Sequence, residues 1–373
     1  MSLIQKLKKN SSIKATDLLE NSDFFNEESV TTDILGLNIA LSGEIDGGYK
    51  SGVTMWAGPS KHFKTLFSLT QAKGYMDKYP DSVMIFYDSE RGSPKSYFKS
   101  MQIPMDRVLY TPISDVEEFK FDIVKQLNFL EKDDKVIIVL DSLGNLASIK
   151  EVEDAANEKS VTDMSRAKAI KSLFRIIQPK LKNHKVPMIV INHTYKEIGL
   201  YPKDIVGGGT GSYYSADTIF IVGRQQDKDS TGIVGYDFII NVEKSRTVKE
   251  KSRIPISVSF KGGISKYSGL LEIALESGHV IKPSNGWYQR VDMETGEVDE
   301  KKVREKETTT DSFWAPIITC TKFKEFVKSK YQLETTALMH DGADDADDEF
   351  PKAEKIDDID YDFSTGAMLA NRD

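Results

Sequence analysis

Short apolar runs alternate with segments of helical period through the first half of the chain. The apolar runs are 53–57, 83–87, 136–140 and 188–191. Because they are continuous rather than alternating, they predict strands buried on both faces, as in a parallel sheet covered by helices. Helical period covers 66–79, 116–130 and 163–182. The pattern therefore predicts an α/β fold with a mostly parallel, twisted sheet and helices on both of its faces.

Strand-like segments continue beyond residue 200, but their connections are shorter. We predict that the strands 218–222, 236–242 and 254–260 close the sheet in antiparallel fashion. A helix is expected near 270–276, whereas 285–310 is charged and predicted to be irregular. The chain then returns to helical period at 313–333.

The start of the chain has the pattern of a short amphipathic helix. Leu3, Ile4 and Leu7 share one helical face, and lysines lie off it. Such a helix is either an ordinary surface helix or an arm that docks on a neighbouring subunit. Along the whole chain we predict four parts. They are 1–35 (helical arm for subunit packing), 36–285 (core), 286–333 (small C-terminal region) and 334–373 (acidic, disordered tail).

The segment between the first predicted strand and its helix has the composition of a phosphate-binding loop. It reads Gly58-Pro59-Ser60-Lys61-His62-Phe63-Lys64-Thr65. Successive backbone N–H groups at a helix N-terminus favour bound phosphate. Lys64 would then contact the β- and γ-phosphates, and the Thr65 hydroxyl would be a ligand of Mg²⁺. The glycine that usually precedes the lysine is Phe63 here, a departure from the common pattern.

Polar residues follow three of the predicted strands at the same edge of the sheet, where ligands bind in such folds. Asp141 is the candidate residue that holds Mg²⁺ through water. Glu90 is the candidate general base or water-positioning residue for attack on the γ-phosphate. His193 is placed to sense the γ-phosphate and pass its state to the loop that follows. The alternatives are a helix-capping Asp141, a surface Glu90 and a structural histidine.

Two long segments after these strands have the composition of nucleic-acid-binding loops. They are 142–161 and 194–214, and the second contains Lys196, Lys203 and Gly207-Gly208-Gly209 with interleaved tyrosines. Loops longer than about 12–15 residues in a compact domain are usually functional or disordered. Lysines together with glycines suit the backbone of single-stranded nucleic acid. The alternative is a flexible lid over a small substrate.

The segment 242–249 is an unusually basic strand end. Lys244 and Arg246 are either part of a salt-bridged surface hairpin or a pair of cations that reach a neighbour's γ-phosphate, as arginine fingers do.

Charge and cysteine content narrow the class of protein. The net charge of −8 arises in the tail, because 334–373 carries 13 acidic and 3 basic residues and leaves the body at +2. Phosphate binding must therefore come from local clusters. One cysteine excludes a disulfide framework. Without an apolar run of about 18 residues or an apolar signal segment, we expect a cytoplasmic protein and no membrane partner.

Several segments together are similar to those of a known family. They are NIALSGEI (38–45), GPSK with FK (58–64), YDSE (87–90), DSLGNLAS (141–148), INHTY (191–195), GGGTG (207–211) and NVEKSRTVKEKS (241–252). Over about 24–288 the chain resembles the RecA-like strand-exchange recombinases, and in particular the UvsX recombinases of T-even-type phages. The resemblance implies a RecA-like P-loop ATPase core with ATP and Mg²⁺ as cofactors.

The resemblance also implies roles for residues around the nucleotide. Glu90 corresponds to the catalytic glutamate of the family, and His193 stands where bacterial members carry the glutamine that relays the nucleotide state to the DNA loops. Lys244 and Arg246 match the two cations that cross the subunit interface to ATP. Tyr97 matches the aromatic residue that stacks on adenine.

The two long segments match the DNA-binding loops of the family. The residues implied in DNA binding are Arg166, Lys168, Lys196, Lys203, Gly207, Gly208 and Gly209. The C-terminal region does not resemble the compact DNA-gathering domain of bacterial members.

These observations predict an ATP-dependent recombinase that forms a helical filament on single-stranded DNA, pairs it with homologous duplex DNA and exchanges strands. By resemblance, its partners include a single-strand-binding protein, a recombination mediator and a helicase, in the cytoplasm of a bacterial host. Two other functions fit the same core. One is a hexameric helicase or translocase, and the other is an ATP-regulated DNA-binding module without strand exchange.

Overall fold

The computed structural model describes residues 1–22, 26–157, 164–197, 202–229 and 232–333, together with two short strands near the C-terminus. Met1–Leu333 and Glu334–Asp373 are separate structural units. The predicted tail lies outside the described residues except for those two strands, Tyr361–Asp362 and Ala367–Met368, which pair in antiparallel fashion.

Most strands of the body belong to one large sheet. The strands of the body are β1 (Gly52–Ala57), β2 (Val83–Asp88), β3 (Val108–Pro112), β4 (Val136–Asp141), β5 (Pro187–Asn192), β6 (Thr194–Lys196), β7 (Asp204–Val206), β8 (Thr218–Asp229), β9 (Gly232–Lys244), β10 (Arg253–Ser259), β11 (Gly263–Ile264), β12 (Val280–Ser284), β13 (Trp287–Arg290) and β14 (Val303–Arg304). Among the described residues, nine of them form the order β11-β10-β9-β8-β1-β5-β4-β2-β3.

Helices cover both faces of this sheet. The α-helices of the described body are α1 (Leu3–Asn10), α2 (Leu35–Ser42), α3 (Lys64–Lys78), α4 (Lys95–Ser100), α5 (Val116–Phe129), α6 (Ile149–Ala156), α7 (Ser165–Asn183), α8 (Gly209–Ser215), α9 (Leu270–Glu276), α10 (Asp311–Thr319) and α11 (Thr321–Tyr331). One core contains α3 and the C-terminal helices, and the other contains α5 and α7. The α/β class with a mostly parallel sheet, predicted from the apolar runs, is confirmed.

Strand β1 lies between the two cores and positions the loop that follows it. Its side chains alternate between the two faces, with Trp56 in one core and Met55 in the other, and both are fully buried. It pairs in parallel with β5 on one side and β8 on the other. The carboxyl ends of the parallel strands therefore open at one edge of the sheet, beside the loop that follows β1.

Two strand predictions are wrong in detail. The segment from Thr218 pairs with β1 in parallel, so that the antiparallel part of the sheet begins only at β9. The stretch predicted to be irregular contains β13 and β14, which pair with each other and join β12 in a small sheet. These strands are four and two residues long, too short for a period of two to be recognised in the sequence.

The predicted arm at 1–35 contains α1 at its start and a short 3-10 helix at Leu19–Asn21. Helix α1 leaves Leu3, Ile4 and Leu7 exposed. Val30, in contrast, is buried and forms a bridge with Tyr49, so the last residues of this segment pack on the body. The role of the arm in subunit packing stays a prediction. In the part of the chain that the structure describes, no helix is long and apolar enough to cross a membrane.

Candidate active site

The loop between β1 and α3 leads into the helix at Phe63, where the common phosphate-loop pattern has a glycine. Phe63 takes a left-handed conformation with φ of 61°, which costs a residue other than glycine about 1–2 kcal/mol. Its ring stacks on Phe238 at 4.9 Å between centroids and meets the edge of Phe67 at 5.9 Å. Aromatic pairs contribute about 0.5–1.5 kcal/mol each beyond area burial. Packing against β9 therefore offsets the strain that a glycine would avoid.

This balance can be measured by replacing the ring. Phe63→Ala keeps the left-handed backbone but loses both ring contacts, and we expect it to lower the free energy of unfolding by about 2 kcal/mol. Phe63→Gly loses the same contacts but relieves the backbone, and we expect it to be about 1 kcal/mol more stable than the alanine variant. Urea unfolding measures both, with the exposed Phe129→Ala as control. An alanine variant as stable as the glycine variant would contradict this account.

The first turn of α3 brings three predicted ligand residues together. Lys64 is buried, and its Nζ donates a hydrogen bond to the Pro59 carbonyl at 2.8 Å. The Thr65 hydroxyl donates to Oδ2 of Asp141 at 2.9 Å, and Ser93 donates to the same oxygen at 3.1 Å. A hydroxyl and a carboxylate are hard oxygen ligands of the kind that Mg²⁺ prefers. The residues present therefore fit a magnesium-bound nucleotide.

Asp141 should make the stability of the nucleotide-free protein depend on pH. Burial raises the pKa of its carboxyl from 3.8 to about 6. The folded state thus binds more protons than the unfolded state between these values, and stability falls as pH rises through them. Relative to Asp141→Asn, we expect the wild type to lose about 3 kcal/mol of unfolding free energy from about pH 3.5 to 7.

Urea unfolding without Mg²⁺ at several pH values, for both proteins, measures this difference. A difference between wild type and Asp141→Asn that stays constant with pH would show that the carboxyl is not perturbed. Adding Mg²⁺ and nucleotide should restore the lost stability, because the cation favours the ionised carboxylate.

Two neighbours fix the Glu90 carboxylate at the edge of the cleft. Its Oε1 accepts a hydrogen bond from the Ser142 hydroxyl at 2.7 Å and lies 3.1 Å from Nε2 of His193. The hydrogen bond from His193 holds the pKa of Glu90 below its usual range. The side chain is thus ionised at neutral pH and able to accept a proton. Ser142 is held in turn by Ser89, whose hydroxyl bonds to the backbone N–H and the carbonyl of Ser142.

His193 lies between the two segments predicted to be loops. A Cβ on Gly144 would come within 2.5 Å of its ring, and its carbonyl accepts a hydrogen bond from the N–H of Gly207 at 2.9 Å. The side chain of Asn192, fully buried, donates to the Gly207 carbonyl at 2.7 Å. Glu90, His193 and the start of the glycine run are therefore in one chain of contacts. Sequence reasoning assigned no role to Asn192. Its position, as a polar residue at the end of an apolar strand, could have indicated one.

A cleft of about 410 Å³ connects these groups, within the size range of ligand sites. Tyr97 on α4, Tyr236 on β9 and Phe260 line it together with the phosphate loop. Arg224 on β8 donates to the Lys61 carbonyl at 3.1 Å and lies 4.8 Å from the Tyr236 ring centre. Tyr97 was named by the resemblance. The wall of the cleft formed by Arg224 on β8 and Tyr236 on β9 was missed, because these two residues belong to no motif.

Lys244 and Arg246 lie at the opposite edge of the sheet. Arg246 donates from Nε to Asp217, whose backbone N–H bonds to the carbonyl of Val53 at the start of β1. Lys244 donates to the carbonyls of Tyr213 and Tyr214 at the end of α8. The phosphate loop follows Ala57, four residues and about 13 Å further along β1. In this conformation, both side chains are therefore bound away from the phosphate loop of their own subunit.

The residues predicted to contact DNA differ in their surroundings. Arg166 donates to the carbonyls of Leu143, Gly144 and Leu146, so in this conformation its guanidinium holds the turn after β4. Lys196 pairs with Asp204 at 2.9 Å across the hairpin of β6 and β7. Lys168 is exposed and follows the first segment. The second segment contains the exposed Lys203 and the glycines Gly207, Gly208 and Gly209. Arg166 is thus better described as a residue that shapes the first segment.

The two segments are not simple loops. The first contains α6, which is capped at its N-terminus by Ser148 in a capping box, and the second contains β6, β7 and α8. Parts of the predicted loops, 158–161 and 198–201, lie outside the described residues. The DNA-binding assignments of both segments stay predictions.

A parallel sheet, a phosphate loop leading into a helix and carboxylates at the ends of adjacent strands together define the class of P-loop nucleotide-binding proteins. Family comparison makes the assignment more specific. The RecA N-terminal domain model matches residues 1–265. The model described as the C-terminal domain of the bacteriophage T4 recombination and repair protein matches 267–327. The chain belongs to the RecA family of recombinases.

Individual relatives agree with this assignment. The recombination and repair protein of Enterobacteria phage T4 is 52% identical over 336 residues, which cover 89% of this chain and 86% of that protein. RecA of Nocardioides sp. is 24% identical over 70% of this chain and 73% of its own. RecA of Lactococcus lactis is 26% identical over 73% of this chain and 70% of its own. The resemblance and the recombinase function inferred from the motifs are confirmed.

Proposed function

We propose that this protein binds and hydrolyses ATP with Mg²⁺, forms a helical filament on single-stranded DNA and exchanges strands with homologous duplex DNA. The observation that supports the proposal is that the residues we assign to the ATP site lie at two opposite edges of the sheet. The phosphate loop, Glu90 and Asp141 are at one edge, and Lys244 and Arg246 are at the other. A complete site then requires two subunits.

This division fits a filament. If the cation edge of one subunit contacts the phosphate edge of the next, the contact is head-to-tail, and its repetition gives a helix unless it closes. ATP becomes part of each interface, so nucleotide binding stabilises the filament and hydrolysis weakens it. The charge that develops on the γ-phosphate is stabilised by the neighbour's Lys244 and Arg246, as by an arginine finger.

Within one subunit, Glu90 orients the attacking water and accepts its proton. Thr65 and Asp141 would hold Mg²⁺, which would neutralise charge on the phosphates. A γ-phosphate in the cleft lies close to Glu90 and His193, and a change in their contact is transmitted through the carbonyl of His193 to Gly207. Nucleotide state thereby controls the segment that binds DNA. Tyr97 supplies a face on which adenine stacks.

The proposal is tested with purified protein, ATP, Mg²⁺ and single-stranded DNA. We expect turnover that depends on the DNA, helical filaments in electron micrographs, and exchange between circular single-stranded and linear duplex DNA. Closed rings with duplex unwinding would instead identify a helicase. DNA binding without turnover would identify a regulated binding module.

The proposed partner proteins and the proposed location rest on the resemblance alone. A single-strand-binding protein, a mediator and a helicase are proposed as partners, and a bacterial host cytoplasm as the location. Pull-down of the full chain with each class of partner tests these proposals.

A further inference from the structure

Arg246 is held by one carboxylate through Nε, which leaves its two terminal nitrogens available for other hydrogen bonds. Its Nε donates to Oδ1 of Asp217 at 2.7 Å. Among the hydrogen bonds of the described residues, none uses a terminal nitrogen of this guanidinium. The side chain of Arg246 is 67% exposed, whereas that of Asp217 is only 13% exposed. An exposed cation is thus attached to a largely buried anion.

The carboxylate of Asp217 is built into the start of the central strand. Its Oδ2 accepts the backbone N–H of Val53 at 2.9 Å and lies 3.4 Å from Nζ of Lys182. Its own N–H bonds to the Val53 carbonyl at 2.8 Å. A Cβ on Gly52 would lie only 2.1 Å from Oδ2, so a glycine is needed to leave space for the carboxylate. These contacts fix the position of Oδ1.

We propose that Asp217 is a positioning residue that presents Arg246 to the nucleotide of the neighbouring subunit; this rests on the function proposed above. The guanidinium is a planar fork, and its two terminal nitrogens match two oxygens of a phosphate. Pairing through Nε fixes the plane of the fork and leaves both terminal nitrogens for the γ-phosphate. Because Lys182 shares the carboxylate, the group of three side chains keeps a net charge of +1, and its attraction to phosphate is retained.

Lys244 provides a contrast within the same cation pair. It is held by the neutral carbonyls of Tyr213 and Tyr214 at 2.9 and 3.1 Å. The ammonium group of Lys244 acts as a point charge without a planar fork, so it needs no carboxylate to orient it. Of these two cations, Arg246 is the one that forms a direct ion pair with a carboxylate among the described residues, and it is the one whose orientation matters.

The test is a double-mutant cycle on DNA-dependent ATP turnover. Arg246→Ala measures the contribution of the cation. Asp217→Asn keeps an oxygen for the N–H of Val53 but removes the ion pair, and we expect it to lower kcat about tenfold with KM for ATP changed less than about twofold. In the Arg246→Ala background, the same change should have no further effect. Asp299→Asn, which removes a similar carboxylate from Nε of Arg290, is the matched control and should leave turnover unchanged.

Arg246→Lys is a second variant that does not touch the strand. It keeps the charge but has no Nε fork, so we expect a loss of kcat as large as that of Asp217→Asn. Thermal unfolding of each variant reports on structure separately from turnover.

The outcomes separate the two proposals. If Arg246→Ala leaves turnover intact, both the shared site and the positioning role are wrong. If Arg246→Ala abolishes turnover but Asp217→Asn is neutral, or its effect adds to that of Arg246→Ala, only the positioning role is wrong. An Arg246→Lys protein with more than about half of wild-type kcat would also overturn it.

Discussion

A Glu90→Gln variant is expected to lose DNA-dependent ATP turnover by about two to four orders of magnitude, while it still binds ATP. The amide has the same size, and its oxygen can still accept hydrogen bonds from Ser142 and His193. It cannot accept a proton from water, so the loss falls on the chemical step. ATP would then stay at the interface and filaments should persist longer.

Single-turnover hydrolysis separates this loss from binding, and filament lifetime after dilution measures its consequence. Glu325→Gln on the exposed surface of α11 removes a carboxylate away from the cleft and should behave as wild type. A Glu90→Gln protein that hydrolyses ATP at a rate near that of wild type would assign the proton transfer to another group. Failure to bind ATP would mean that Glu90 supports the cleft rather than the reaction.

Mixing two inactive variants should restore turnover if the site is shared between subunits. The Arg246→Ala protein has an intact phosphate edge but cannot supply the Arg246 cation to its neighbour. The Glu90→Gln protein has both cations but lacks the base. We expect each alone to lose at least about two orders of magnitude in kcat. In an equimolar, randomly ordered head-to-tail filament, about one quarter of the interfaces join an intact phosphate edge to an intact cation edge.

The mixture should therefore regain about one quarter of wild-type turnover per subunit. The steady-state rate as a function of the mixing ratio measures this recovery, which should be largest near equal amounts. A double variant, Glu90→Gln with Arg246→Ala, mixed with wild type provides the control for dilution. No recovery at any ratio, although both proteins join the same filaments, would place both halves of the site within one subunit.

The sequence is informative about the sheet and the loop because both depend on local patterns. Continuous apolar runs identify the buried parallel strands, and the residues at their ends include Glu90, Asp141 and His193. The close approach of Glu90 to His193 supports the predicted convergence at one edge. Their catalytic roles stay proposals.

Other features depend on partners that are distant in the chain. Nothing next to Phe63 indicates that Phe238 compensates for its left-handed backbone. Composition also cannot distinguish a free arginine from one that binds backbone carbonyls, and Arg166 is of the second kind. The position of Arg246 across the sheet from the phosphate loop follows only from the register of β1, β8 and β9.

In the filament proposed above, the separation of the two half-sites also distinguishes the two ends. At one end, the last subunit presents a phosphate edge with no neighbour, so it holds ATP that is not hydrolysed. At the other end, Lys244 and Arg246 face solvent and have no nucleotide to contact. The first end is then capped by an intact nucleotide, which protects it from the loss of subunits that hydrolysis causes elsewhere. Short filaments have a larger share of such idle ends, so ATP turnover per subunit should rise with filament length.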